Sequence, residues 1–130
     1  MAGVIIADAS VLIAHLDARD PHHDGAVALL LEAAERPLGA SPITLAEVLV
    51  GPARAHRLEG ARGALREFGV REVPFSPDAA VRLAALRAET RLKLPDCCVL
   101  LAADEADADA IMAFDTRLRE AARALGRVAL

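Results

Sequence analysis

The sequence predicts an α/β sandwich built around a mainly parallel sheet. Two observations carry this. Short apolar strand runs alternate with helical stretches from one end of the 130 residues to the other, the pattern that builds parallel sheets. The strand runs are also apolar throughout instead of alternating, as expected of parallel strands covered on both faces. The length fits one domain, residues 1–130, and suffices to bury roughly two-thirds of the unfolded surface without staples.

The elements follow in order. Val4 to Ala7 is a β-branched run and reads as a buried strand. Val11 to Leu16 reads as the first turns of a helix, with Ser10 as a candidate cap. Asp17 to Asp24 is polar, contains Pro21, and reads as a loop. Gly25 to Glu35 has helical periodicity, with Val27, Leu30 and Leu31 on one side. Pro37 to Pro42 suggests a brief strand between turn signals. Thr44 to Val50 reads as a helix stopped by Gly51-Pro52, and Ala53 to Phe68 as an arginine-rich helix stopped by Gly69. Val70 to Val73 is a strand, Asp78 to Thr90 a helix, and Pro95 to Glu105 an apolar helix. Ala110 to Phe114 is a strand, Thr116 to Leu125 a helix ended by Gly126, and Val128 to Leu130 a last strand.

Composition narrows the function classes. Hydrophobic residues reach 55%, which excludes disorder. No run approaches the roughly 18 apolar residues of a spanning helix, and the start, Met1-Ala2-Gly3-Val4, lacks the basic region of a leader. Cys97 and Cys98 are adjacent. Neighbouring Cα atoms lie about 3.8 Å apart, shorter than the roughly 4.4–6.8 Å of a disulfide, so reduced thiols and a cytoplasmic location are expected. A net charge of −4 excludes a general nucleic-acid magnet. Aromatics at 2% argue against a base-stacking platform.

Four carboxylates stand out. Asp8 follows the first strand at its carboxyl end, where open α/β sheets bind ligands; helix capping is the competing role. Asp115 repeats this after Ala110 to Phe114, with capping again the alternative. Asp96 follows Pro95 at the start of an apolar helix, which is also ordinary helix-start chemistry. Glu47 lies in Thr44-Leu45-Ala46-Glu47, a capping-box pattern. Its apolar neighbours nevertheless predict partial burial, and hence a partner or a metal. Like charges gathered at one edge raise each other's pKa, and hard divalent ions relieve this. His22 and His23 read as a solvated pair, His15 and His56 as helical residues, and Arg54, Arg57, Arg62 and Arg66 as a solvated face of one helix.

The order Val4 to Ile13, Thr44 to Gly51, Leu94 to Ala103 and Phe114 to Leu118 resembles a PIN domain. More narrowly it resembles the VapC toxins of type II toxin–antitoxin pairs. The resemblance covers nearly the whole chain. It implies a three-layer α/β/α sandwich with strand order 3-2-1-4-5 and a Mg²⁺- or Mn²⁺-dependent endoribonuclease. It implies that the acidic pocket is Asp8, Glu47, Asp96 and Asp115, with Arg117 or Arg119 meeting RNA phosphates. Many relatives carry Thr or Ser where this chain has Ala113. The partners implied are RNA substrate, a second copy, and a VapB-type antitoxin that joins it in a higher assembly and binds DNA on its behalf; no membrane is implied.

Two other classes remain. One is a PIN-fold binding module without catalysis. The other is a different acidic-pocket α/β domain, phosphatase-like or receiver-like. A receiver needs an acidic pair and a late lysine, but the only lysine, Lys93, precedes the Asp96 helix.

Overall fold

The computed structural model describes residues 3–130. Met1 and Ala2, part of the start read above as lacking a leader, lie outside the described residues. Five strands, β1 (Ile5–Ala7), β2 (Leu38–Ala40), β3 (Val70–Glu72), β4 (Ala110–Met112) and β5 (Val128–Ala129), form one sheet. Its order is β3-β2-β1-β4-β5 and every pairing is parallel. Seven helices connect them: α1 (Ala9–Leu16), α2 (His23–Glu32), α3 (Pro42–Arg54), α4 (Leu58–Glu67), α5 (Ala79–Thr90), α6 (Leu94–Glu105) and α7 (Thr116–Ala124). The fold is the PIN-like α/β sandwich that the sequence resemblance implies.

The strands are very short, so burial on both faces must hold them. β1, β2 and β4 are buried at every position. Alternate residues feed opposite sides. Ile6 and Ile111 join a cluster with Val99, Leu100 and Leu118 of α6 and α7. Ile5, Ala110 and Met112 join Val11, Ala26 and Leu30 of α1 and α2. A third cluster, containing Ala7, Leu12, Val48 and Leu65, ties α1, α3 and α4 to the sheet. α3 touches both α1 and α6, spanning the layers where β1 and β2 end.

The helix boundaries shift from the sequence reading in two places: α2 runs from His23, inside the stretch read as loop, to Glu32, and the break between α3 and α4 moves. Gly51-Pro52 does not stop α3, which runs on to Arg54. Proline forfeits only its own bond to the carbonyl four residues back, and the chain turns out one residue beyond Ala55. There His56 takes the left-handed conformation, φ 56°. His56 N–H donates to Ala53 O at 3.2 Å and Arg57 N–H to Pro52 O at 2.8 Å, which is a Schellman closure. The arginines therefore do not share one helix: Arg54 ends α3, Arg57 precedes α4, and only Arg62 and Arg66 lie within α4. Gly69 and Gly126, at φ 80° and 87°, follow α4 and α7 as expected.

Candidate active site

Parallel strands end on the same edge, so the residues following β1 and β4 are neighbours. Asp8 follows β1 directly, and its N–H donates to Met112 O at 2.9 Å, completing the ladder with β4. Asp8 occupies the cap position of α1, but its side chain caps nothing. Its Oδ2 instead accepts a 2.6 Å hydrogen bond from Ser10 Oγ. Ser10, expected as a cap, is thus the group that orients Asp8.

Asp115 follows β4 at a longer interval than expected, because the strand ends at Met112. Its Oδ1 accepts from Leu118 N–H at 3.0 Å, so Asp115 does cap α7. Asp96 lies in the first turn of α6, half-buried, behind Pro95. Its carboxyl is pushed above the ordinary range by burial, then by Asp8 and Asp115, while Lys93 and Arg117 pull it back.

Glu47 departs from both readings offered for it. The cap of α3 is Ser41, whose Oγ accepts from Thr44 N–H at 3.0 Å, so Thr44 and Glu47 form no capping box. The visible signal was Ser41-Pro42, a cap followed by proline at the first helical position. Glu47 is also exposed despite its apolar neighbours; of these only Val48 is fully buried, while Leu45 and Leu49 are half-buried and Ala46 is exposed. Its carboxyl is still raised, first by partial desolvation, then by Asp8 and Asp96.

The four acids therefore form an electrostatic chain: Glu47 feels Asp8 and Asp96, and Asp96 feels Asp8 and Asp115. Among the described residues, no three acids, histidines or cysteines close into a ready metal cage. The donor set is nonetheless all carboxylate oxygen and self-repelling, which suits a hard divalent cation. Cys98 lies close enough for Glu47 to influence it, but burial pushes its thiol up to about 11, so the edge offers no thiolate at neutral pH. Both cysteines are buried and free.

The cations separate by role. Arg119 donates to Ala113 O at 3.1 Å and to Leu130 O, tying down the end of β4. One nitrogen of its guanidinium thus serves the backbone. Arg117 and Lys93, both exposed, flank Asp96. The sequence reading missed Lys93 because a single lysine ahead of a helix carries no pattern.

A groove of about 790 Å³ opens beside Glu47. Ile13 and Leu16 of α1 form one wall; Gly51 and Pro52 of α3 and Gly60 and Ala64 of α4 form the other. A Cβ placed on Gly51 or Gly60 would meet nothing within 4 Å. The histidines are not simply solvated. His23 Nδ1 lies 2.7 Å from Ala14 O, and His22 stacks on Phe114 with ring centroids 4.9 Å apart. His15 packs against Phe68, and His56 makes the turn after α3 instead of lying in a helix. Among the described residues, no helix is long and apolar enough to cross a membrane.

The PIN domain family model matches residues 5–124. A toxin–antitoxin complex from Klebsiella pneumoniae is similar at 31% identity and a TM-score of 0.68, covering 86% of this chain and 87% of that one. VapC20 from Mycobacterium tuberculosis, a toxin that cleaves the sarcin–ricin loop, is similar at 19% identity and a TM-score of 0.73, covering 95% and 96%. VapBC2 from Rickettsia felis, bound to a promoter DNA fragment, is similar at 15% identity and a TM-score of 0.71, covering 98% and 97%. No curated protein matches the chain.

Proposed function

The chain belongs to the PIN-domain family, and from that premise we propose that it is the toxin of a VapBC toxin–antitoxin pair, a metal-dependent cytoplasmic endoribonuclease. The observation that carries the reading is the coupling of Asp8, Glu47, Asp96 and Asp115 at one sheet edge. A fold gathers like charges only at a cost, and a phosphodiesterase site gives that cost a use. The likeness to the Klebsiella toxin–antitoxin complex supports the biological setting.

Asp8, Glu47, Asp96 and Asp115 are the residues that would hold Mg²⁺ or Mn²⁺. Such an ion supplies charge stabilisation at the scissile phosphate and acidifies water. The chain's own residues do the rest. Ser10 fixes the Asp8 carboxylate, and the α7 cap fixes Asp115. Glu47, exposed at the same edge, is placed to orient the attacking water or to complete a second metal site. Lys93 and Arg117 meet the phosphates flanking the cleaved bond, which lets a chain of net charge −4 act on RNA. The groove beside Glu47 takes an apolar segment of a VapB-type antitoxin, so that inhibitor and substrate compete at one edge. The working form is a homodimer that joins its antitoxin in a larger assembly, with DNA reached through the antitoxin.

The test is cleavage of total cellular RNA by antitoxin-free protein, with Mg²⁺ or Mn²⁺, with EDTA, and with Asp96→Asn alongside. Cutting that needs the metal and vanishes in the variant is expected. Folded, antitoxin-free protein that leaves every RNA intact overturns the reading, as does cutting that survives both EDTA and the variant.

A further inference from the structure

The chain has three phenylalanines, no tryptophan and no tyrosine. One of the three, Phe114, immediately precedes Asp115. Its ring is half-buried against the α1–α2 side of the sheet, in the cluster that contains Ile5, Val11, Ala26 and Met112. On it lies the His22 imidazole, centroid to centroid 4.9 Å, with the planes 25° apart. His22 is exposed, so the outer face of the stack is open. The loop beneath the imidazole is fixed from within. Asp20 N–H donates to Asp17 O at 3.0 Å, and His22 N–H donates to Asp20 Oδ1 at 2.8 Å. The neighbouring His23 ring is tied to Ala14 O.

We propose that the His22–Phe114 stack is a platform for one unpaired base of the RNA, next to the scissile phosphate, resting on the ribonuclease reading above. A flat, pre-ordered π-face at the rim of a carboxylate cluster meets both needs of single-strand recognition: a base stacks on it whatever its sequence, and its position sets which phosphate reaches the acids. Counting only Phe, Trp and Tyr hides this surface, because half of it is histidine. The half-buried phenyl, packed against the core, gives the imidazole a rigid backing that an exposed loop residue otherwise lacks.

The test titrates a short single-stranded RNA carrying 2-aminopurine at alternate positions, with Mg²⁺, into the wild-type chain, His22→Leu and His22→Tyr. Base fluorescence is read before turnover. Leucine covers Phe114 without a π-face; tyrosine restores one. Stacking quenches the probe, so quenching is expected with wild type and His22→Tyr. His22→Leu should lose the quench and bind roughly 5- to 150-fold more weakly, the range of one stacked base. Melting temperatures of the three chains should agree. Equal quenching and affinity in His22→Leu, absence of quenching in wild type, or equal loss in both variants overturns the platform. Cleavage of total RNA by the same wild-type preparation stands apart: cutting with no role for the ring removes the platform alone, and no cutting removes the ribonuclease.

Discussion

Asp96 is half-buried and faces two other acids, and its raised pKa has a consequence for stability. A carboxyl whose folded pKa exceeds its unfolded value binds more protons in the native state, so stability falls as pH rises between the two values. The penalty is absent below the ordinary carboxylate range and complete above the raised folded value. Glu47 adds a second contribution of the same sign. In EDTA, Asp96→Asn should therefore melt above wild type at neutral pH, with the gain shrinking to nothing as pH falls through the carboxylate range. A gain independent of pH would remove the electrostatic explanation. If Asp96 holds the metal directly, as proposed, the same variant should lose more activity than the roughly 100-fold typical of outer partners. On the proposed metal site, the 2.6 Å bond from Ser10 to Asp8 would make Ser10 such an outer partner. Ser10→Ala should weaken Mn²⁺ affinity by about 10- to 100-fold, read by titration calorimetry; unchanged affinity would free Asp8 from that dependence. Asp8, Asp96 and Asp115 were legible because strand ends and helix starts are visible in sequence. Glu47 was legible as a candidate, but the capping box read for it does not form. The Ser41-Pro42 pair carried the signal for the true cap of α3, but local pattern could not tell that the glutamate faces out of its apolar helix.

At the scale of elements, the order of strands and helices could be read because the three central strands are short buried runs and α4 and α7 stop at glycine. The misplaced break between α3 and α4 shows what that reading depends on. The α3 stop uses a full Schellman closure, but its left-handed position holds His56 instead of glycine. A residue with a Cβ costs roughly 1–2 kcal/mol in that conformation, and His56 is exposed, so its side chain returns little. His56→Gly should stabilise the fold by about 0.5–1 kcal/mol after the greater unfolded-state entropy of glycine is subtracted. Denaturant unfolding measures this directly, and destabilisation would show that the imidazole makes a contact of its own. Gly51-Pro52 misled because it looks like a stop, while tertiary packing of Val48 against Ala7 and Leu12 keeps α3 helical through it. At the other end of the apolar helix α6, acids accumulate where the helix dipole disfavours them. Arg127 binds Asp104 at 2.8 Å, and Arg82 reaches both Asp104 and Glu105. The uncompensated acids thus collect at the N-terminal end of α6, on the site edge, and the compensated ones at its C-terminal end.

Across the whole molecule, two surfaces meet at Glu47: the carboxylate edge and the groove between α1, α3 and α4. No sequence pattern announced the groove, because it is made by what is missing, glycine and alanine on facing helices. Gly51 separates the two surfaces experimentally. It lies inside α3, where glycine is about 1 kcal/mol less favourable than alanine, and an added Cβ there meets nothing within 4 Å. Gly51→Leu should hold or raise the melting temperature while its side chain fills the groove. If an antitoxin segment occupies that groove, the same substitution should raise the antitoxin Kd at least about tenfold, a loss of roughly 1.4 kcal/mol, and leave metal binding at the acids intact. In cells this predicts a toxin that its antitoxin no longer restrains, seen as growth arrest despite co-expression. A stable variant that is still fully neutralised would place the antitoxin elsewhere on the chain, without touching the case for the acidic edge. Opposite signs for stability and for partner binding are what distinguish a groove kept open for an occupant from an ordinary packing defect, where filling the space improves both.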